Sequence, residues 1–398
     1  MIKNIALVAP VFPPIKISAS VQLRDLALEF CRQGFKITVL VPSGEISNSY
    51  KIVNEDGIEI ISLKVPKSRD KPYIIRTIAE LLMPFFMIRN YRKIKSYQRN
   101  FSGIVWYSPP IFLSPFIKFL MKKNSCLNYL IVRDIFPEWA LNLGLLKKGM
   151  IYNFFKYFEK QQYKIANIIG IQAQGNLKFF DKITNHKQNS IEVLNNWLHT
   201  AKSKKCTIDF SAPALKDKKI IVYAGNMGVA QDLDFFIELA AKMQSKKDIC
   251  FLFIGRGSNK ENMIQKTNSL KIKNLQFLDE IDPQELNSLL KKCHIGILSL
   301  DRRHRTHNIP GKFLTYLSVG LPVFALINSN NDLHSIIKEY DVGYSSSDYS
   351  IESMEKILTK QLLELEIKSY SKNCKQLFEE IFLPEKAVKQ IIKALKIK

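Results

Sequence analysis

The sequence predicts an α/β protein made of two doubly wound, parallel-sheet domains, and three observations predict it. Strand, loop, helix and strand succeed one another from residue 5; a polar, aperiodic stretch over 198–219 interrupts them; the same succession restarts at residue 220. Strands joined through crossover helices pair in parallel, with helices on both faces. A chain of 398 residues suits two such domains.

The first strand is the apolar run at 5–9, followed by a loop over 10–20 and a helix over 21–33 that Gly34 ends. Further strands are expected at 37–41, 58–63, 104–107, 127–132, 168–172 and 191–194. After the restart, a strand at 220–224 leads into a glycine loop and a helix over 232–243, with Asp232 as its N-cap. Strands follow at 250–254, 275–278, 295–298 and 323–325. The expected domains are 1–200 and 201–383. Residues 384–398 form a Lys-spaced amphipathic helix expected to pack back toward the first domain.

A hydrophobic fraction of 46% with 24% charged residues is ordinary globular composition and excludes disorder. The six cysteines lie far apart with no Cys-x-x-Cys pair, so they read as reduced thiols of a cytoplasmic protein. The N-terminal apolar run leads into a loop without a small-residue cleavage site, which marks a strand and not a signal peptide.

The formal charge of +23 calls for an anionic partner, and residues 1–200 hold 28 Lys and Arg against 13 Asp and Glu. No zinc finger, helix-turn-helix spacing or aromatic RNA signature accompanies them, so nucleic acid is not the expected partner. The basic residues keep apolar company at 73–95, 111–123 and 147–164. None of these reaches the roughly 18 uninterrupted apolar residues of a spanning helix. Such segments suit helices lying on an anionic membrane surface, which places the protein peripherally on the inner face of the cell membrane. Periodicity alone leaves open that they are core helices with solvated basic edges.

In parallel sheets ligands bind beyond the carboxyl ends of the strands, and two such domains would face a central cleft. Gly225, Asn226 and Gly228 directly follow a strand and precede a helix, where glycines let backbone N–H groups approach a diphosphate. A tight turn without a ligand is the plain alternative. The spacing matches neither G-x-G-x-x-G nor the Walker loop. Gly255-Arg256-Gly257 repeats the strand-end pattern, and residues 300–322 gather Arg302, Arg303, Arg305 and Lys312 ahead of a helix, where they could neutralise a departing nucleoside diphosphate. His304 and His307 lack further ligands, so no metal site is expected. In the first domain Arg133-Asp134 ends a strand, a position that suits hydroxyl recognition or a buried ion pair. The loop holding Phe12, Pro14, Ser18 and Ser20 is expected to face the cleft.

In their order these residues resemble glycosyltransferase family 4, the retaining GT-B enzymes with two Rossmann-like domains. Within it they resemble bacterial O-antigen and capsule N-acetyl-L-fucosamine transferases. The markers are Phe12-Pro13-Pro14, Arg133-Asp134-Ile-Phe-Pro137-Glu138, Asn195-Asn196-Trp197, Tyr223-Ala-Gly225-Asn226-Met-Gly228, Ile309-Pro310-Gly311-Lys312 and Gly320-Leu-Pro322. The resemblance implies a UDP-sugar donor, as substrate and without a further cofactor, held by Gly225, Asn226, Gly228, Gln231, Arg256, Arg305, Lys312 and Thr315. It implies metal-independent, retaining transfer served by Arg133, Asp134 and Lys312. The acceptor, a polyprenyl-diphosphate-linked sugar in surface polysaccharide synthesis, would lie near Phe12, Pro14, Ser18 and Ser20. The chain departs from the family at its paired glutamates, which align with His307 and Thr315, and at the common Arg and Lys, which align with Asn226 and Gln231. A non-catalytic subunit of the same fold and a nucleotide-sugar epimerase are the alternatives.

Overall fold

The computed structural model describes all residues except 1–2, 16, 95–99, 181–189, 201–202, 229–230, 301–306, 308 and 398. It divides into two compact units, Met1–Trp197 with Pro384–Lys398, and Leu198–Leu383.

The first unit runs β1 (Asn4–Val8), α1 (Ser18–Arg32), β2 (Lys36–Ser43), β3 (Tyr50–Glu55), β4 (Ile58–Lys64), α2 (Tyr73–Tyr91), β5 (Gly103–Ser108), α3 (Ser114–Asn124), β6 (Asn128–Val132), α4 (Glu138–Asn142), α5 (Met150–Ile165), β7 (Ile168–Ile171) and β8 (Ser190–Val193). Its eight-stranded sheet has the order β3-β4-β2-β1-β5-β6-β7-β8 and is parallel except for β3, which pairs antiparallel with β4. The sequence reading did not foresee β3. Asp56 and Gly57, with φ of 52° and 81°, close the two-residue hairpin turn that joins it to β4.

β1, β5, β6 and β7 are near-continuous apolar runs because both faces of the sheet are covered. One face packs under α1, the other under α2, α3 and α5.

The second unit runs β9 (Lys219–Ala224), α6 (Asp234–Lys242), β10 (Ile249–Ile254), α7 (Lys260–Ser269), β11 (Leu275–Leu278), α8 (Pro283–Leu290), β12 (Ile295–Ser299), α9 (Gly311–Val319), β13 (Val323–Leu326), α10 (Leu333–Glu339), β14 (Gly343–Ser346), α11 (Ile351–Glu364) and α12 (Tyr370–Ile381). Its six strands are all parallel, in the order β11-β10-β9-β12-β13-β14. Ile220 and Val222 of β9 face the core under α9 and α12, while Ile221 and Tyr223 face the core under α6 and α11. The N-cap of α6 is Leu233 and not Asp232, which precedes it with left-handed backbone at φ 43°.

The last helix, α13 (Pro384–Ala394), belongs to the first unit, where Val388 and Ile391 join the core beside α1. Gln390 Nε2 donates to the Val193 carbonyl at 2.9 Å. Among the described residues no helix is long and apolar enough to cross a membrane.

Candidate active site

In the second unit, β9 and β10 end side by side and their glycine loops are stitched backbone to backbone. Gly225 N–H donates to the Ile254 carbonyl at 2.9 Å and Met227 N–H to the Arg256 carbonyl at 2.8 Å. A Cβ at Gly255 would stand 2.0 Å from the Gly225 oxygen, and one at Gly257 2.3 Å from the Met227 oxygen. The Gly255-Arg256-Gly257 glycines are therefore demanded by loop-on-loop packing. Lys260 pins the arrangement from below, its amine donating to the Gly255 carbonyl at 3.2 Å and to the Leu278 carbonyl at 3.1 Å.

Lys312 reaches this loop from the first turn of α9. Its amine donates to the Tyr223 hydroxyl at 2.6 Å, and that hydroxyl donates to the Asn226 carbonyl at 2.6 Å. Gly225, at φ 142°, leaves room for the lysine, since a Cβ there would lie 3.2 Å from Lys312 Cε. Burial lowers the Lys312 pKa from 10.5 to about 7, because among the described residues no carboxylate offsets the loss of water. Burial likewise raises the Tyr223 phenol well above its ordinary value. Tyr316 fixes the end of β9, its hydroxyl accepting from the Ala224 N–H at 3.0 Å.

Gln231 closes the loop. Its carboxamide oxygen accepts from the Gly228 N–H at 3.1 Å and from Asn226 Nδ2 at 3.1 Å. Gly225, Asn226, Gly228, Gln231 and Lys312 thus form one contiguous group. Arg256 sits in the neighbouring loop with its side chain exposed and paired to Glu280 at 3.2 Å. Thr315 lies one turn beyond Lys312, and its hydroxyl donates back to the Gly311 carbonyl at 3.1 Å. Arg305, with Arg302, Arg303 and His304, falls outside the described residues. His307 is buried, with Nδ1 2.9 Å from a carboxylate oxygen of Asp332. Among the described residues no cluster of three or more His, Cys, Asp or Glu could hold a metal ion.

In the first unit, Arg133 follows β6 and reaches two elements at once. Its guanidinium donates to the Tyr107 hydroxyl at 3.4 Å and to Ser18 Oγ at 3.2 Å, and lies 3.8 Å from the Asp134 carboxylate. Tyr107 in turn donates to Gln22 Oε1 at 2.8 Å, and Gln22 Nε2 donates to Asn196 Oδ1 at 2.5 Å. Trp197 Nε1 closes the chain on the Gln22 carbonyl at 2.8 Å. A polar thread therefore runs from the half-buried Arg133 into the core, where burial pushes the Tyr107 phenol up to about 12. Of the acceptor-side residues, Ser18 and Pro14 are exposed. Phe12 is a core residue at 3% exposure, packed with the aliphatic residues beneath α1, and Ser20 is fully buried. Glu138 anchors the Arg133 loop to α5, accepting from Tyr152 and Lys156 at 2.7 Å each.

The sequence reading missed Tyr223, Lys260, Tyr316, Tyr107, Gln22 and Asp332. Only Tyr223 left a signal, as part of the motif ending at Gly228; Lys260 acts partly on the nearby Gly255 carbonyl, and the others act across longer sequence separations.

Residues 205–380 match the family model described as glycosyl transferases group 1. The chain is 24% identical over 297 residues to the candidate colanic acid biosynthesis glycosyl transferase WcaI of Escherichia coli (strain K12), spanning 70% of each protein. Among solved structures it resembles the sucrose-phosphate synthase of Thermosynechococcus elongatus, with a TM-score of 0.73 at 12% identity over 99% of this chain and 98% of that one. It also resembles Anabaena HepE in complex with UDP, with a TM-score of 0.65 at 10% identity over 99% of this chain and 100% of the other. At such identities the solved structures establish the fold, two Rossmann-like α/β units of the GT-B kind. The glycine loop and Lys312, at the carboxyl edge of the second sheet, both lie within the segment 205–380 that matches the glycosyl transferases group 1 model.

Proposed function

We propose that the protein is a retaining, metal-independent glycosyltransferase that moves a sugar from a UDP-sugar to a polyprenyl-diphosphate-linked acceptor in bacterial surface polysaccharide synthesis, working at the inner face of the membrane. The observation that carries the reading is the Lys312 amine held against the Gly225 loop within the segment that matches the group 1 model, with a half-buried charge and no carboxylate partner among the described residues. An anion supplied by the donor's diphosphate would restore the lysine's full charge. The lysine and the loop N–H groups would then stabilise the leaving UDP as the sugar bond breaks. Arg133, with its guanidinium anchored on Tyr107 and Ser18, is suited to hold the acceptor's hydroxyls or phosphate. The UDP complex of HepE and the polysaccharide pathway given for WcaI support the donor and the pathway. The sugar that the sequence resemblance favours is N-acetyl-L-fucosamine.

The test is transfer from a panel of UDP-sugars to a lipid-linked acceptor, with Lys312→Ala beside the wild type. Transfer by the wild type and its loss in the variant support the reading; a fully active variant defeats the assignment of Lys312. A second reading, a non-catalytic subunit, draws on Gln231 occupying the Gly228 N–H and Thr315 turning its hydroxyl to Gly311. Calorimetry with UDP separates the two, since a subunit with a closed site takes up none.

A further inference from the structure

In the first unit, α2 changes character along a single face. Residues 75, 78, 82, 86, 89 and 93 recur at intervals of three and four, which places them on one side of the helix and its continuation. The stripe begins apolar, with Ile75, Ile78 and Leu82 at 51%, 52% and 41% exposure. It passes Phe86 and becomes cationic at Arg89 and Lys93. The helix carries one carboxylate, Glu80, and Arg76 holds it at 2.8 Å.

The cationic end opens into a groove of about 300 Å³ between α2 and the β3–β4 hairpin, lined by Ser49, Lys64, Val65, Phe86, Arg89 and Lys93 among others. Among the described residues that line it there is no carboxylate. Lys64 is tethered to the Ser47 carbonyl at 2.7 Å and Lys93 to the Ser49 hydroxyl at 2.9 Å, so both amines are positioned without being neutralised. Arg89 is exposed and adds a planar fork that matches a phosphate's paired oxygens.

We propose that this groove binds the headgroup phosphate of an anionic bilayer lipid, with the apolar stripe of α2 lying at the boundary with the acyl chains. Three like charges converging on one groove repel one another until an anion joins them. A free phosphate would use the groove but leave Ile75, Ile78 and Leu82 in water. A lipid uses both ends of the stripe, the arrangement expected of an interfacial helix. The proposal rests on the membrane location in the reading above, and it assigns that location to a site apart from Lys312 and Arg133.

Vesicle flotation tests it, using phosphatidylcholine alone and phosphatidylcholine with phosphatidylglycerol. The expected result is binding of the wild type to the anionic vesicles only, lowered about 30-fold in Arg89→Gln/Lys93→Gln, since each basic side chain near such a surface contributes about a five-fold factor. Ile78→Ser/Leu82→Ser should also lower it, and both variants should keep the wild-type thermal unfolding. Wild-type-like binding by Arg89→Gln/Lys93→Gln overturns the groove assignment and leaves the membrane location standing. A wild type that floats with neither vesicle overturns both. Calorimetric binding of inorganic phosphate without any vesicle binding overturns the lipid in favour of a soluble anion. UDP binding measured on the same proteins reports on the transferase reading separately.

Discussion

The Lys312 amine meets Tyr223 in two ways, donating to its hydroxyl at 2.6 Å and lying 4.2 Å from the centroid of its ring. Both contacts orient the amine and neither neutralises it, which leaves the lysine sensitive to any anion that arrives.

With a pKa of about 7 in the free protein, Lys312 is half neutral near pH 7 and mostly neutral above it. Its folded pKa is depressed from 10.5, so the unfolded chain binds the proton more tightly and stability rises with pH between about 7 and 10.5. Lys312→Met should remove that rise in denaturant titrations run across the window. UDP binding should take up a proton above pH 7, and affinity should fall by up to about tenfold per pH unit there. Calorimetry in buffers of different ionisation enthalpy reads the proton directly.

Tyr223→Phe keeps the ring under the lysine and removes the bridge to the Asn226 carbonyl. The expected cost is about 1–3 kcal/mol of stability from the unpaired buried groups, with UDP affinity weakened on the order of tenfold. Thermal unfolding and calorimetry measure the two effects.

Gly255→Ala and Gly144→Ala separate two reasons for a glycine. At Gly255 the added methyl collides with the Gly225 backbone oxygen, whereas at Gly144, with φ of 74°, nothing lies within 4 Å. Gly255→Ala should cost about 3 kcal/mol or more and abolish UDP binding. Gly144→Ala should cost only about 1–2 kcal/mol of backbone strain. Equal losses in the two variants' unfolding midpoints would contradict this account.

Glu159 of α5 is buried beside Lys156, and burial raises its pKa to about 7 in spite of that lysine. A carboxyl raised in the folded state adds stability that is present below its unfolded pKa and lost as pH climbs through about 7. Glu159→Gln should flatten the decline in urea midpoints across pH 4.5–7 relative to the wild type.

The parallel core was legible in the sequence because its strands, such as β1, β5 and β10, are unbroken apolar runs between glycine or proline punctuation. β3 was not, since its side chains are mostly exposed and it owes its place to pairing with β4 and to the Asp56–Gly57 turn. In the candidate site, the grouping of Gly225, Gly228 and Lys312 could be anticipated because strand-end glycines and a lysine at a helix start leave a local signal in the sequence. The thread from Arg133 through Tyr107 and Gln22 to Asn196 could not, because hydrogen bonds between residues 85 and 174 positions apart leave no trace in spacing. Phe12 illustrates the reverse: its loop pattern suggested a ligand contact, and the fold packs its ring into the core beneath α1.

The assignment of α13 to the first unit sets an order of assembly. Leu395 and Ile397 close over Gly103, where a Cβ would come within 2.9 Å of either side chain, so these late residues seal the base of an early strand. During synthesis the second unit has all its residues before the first does. The unit begun at the ribosome first is the one completed last, and until then the apolar groove beside α1 stays open to water or to a chaperone.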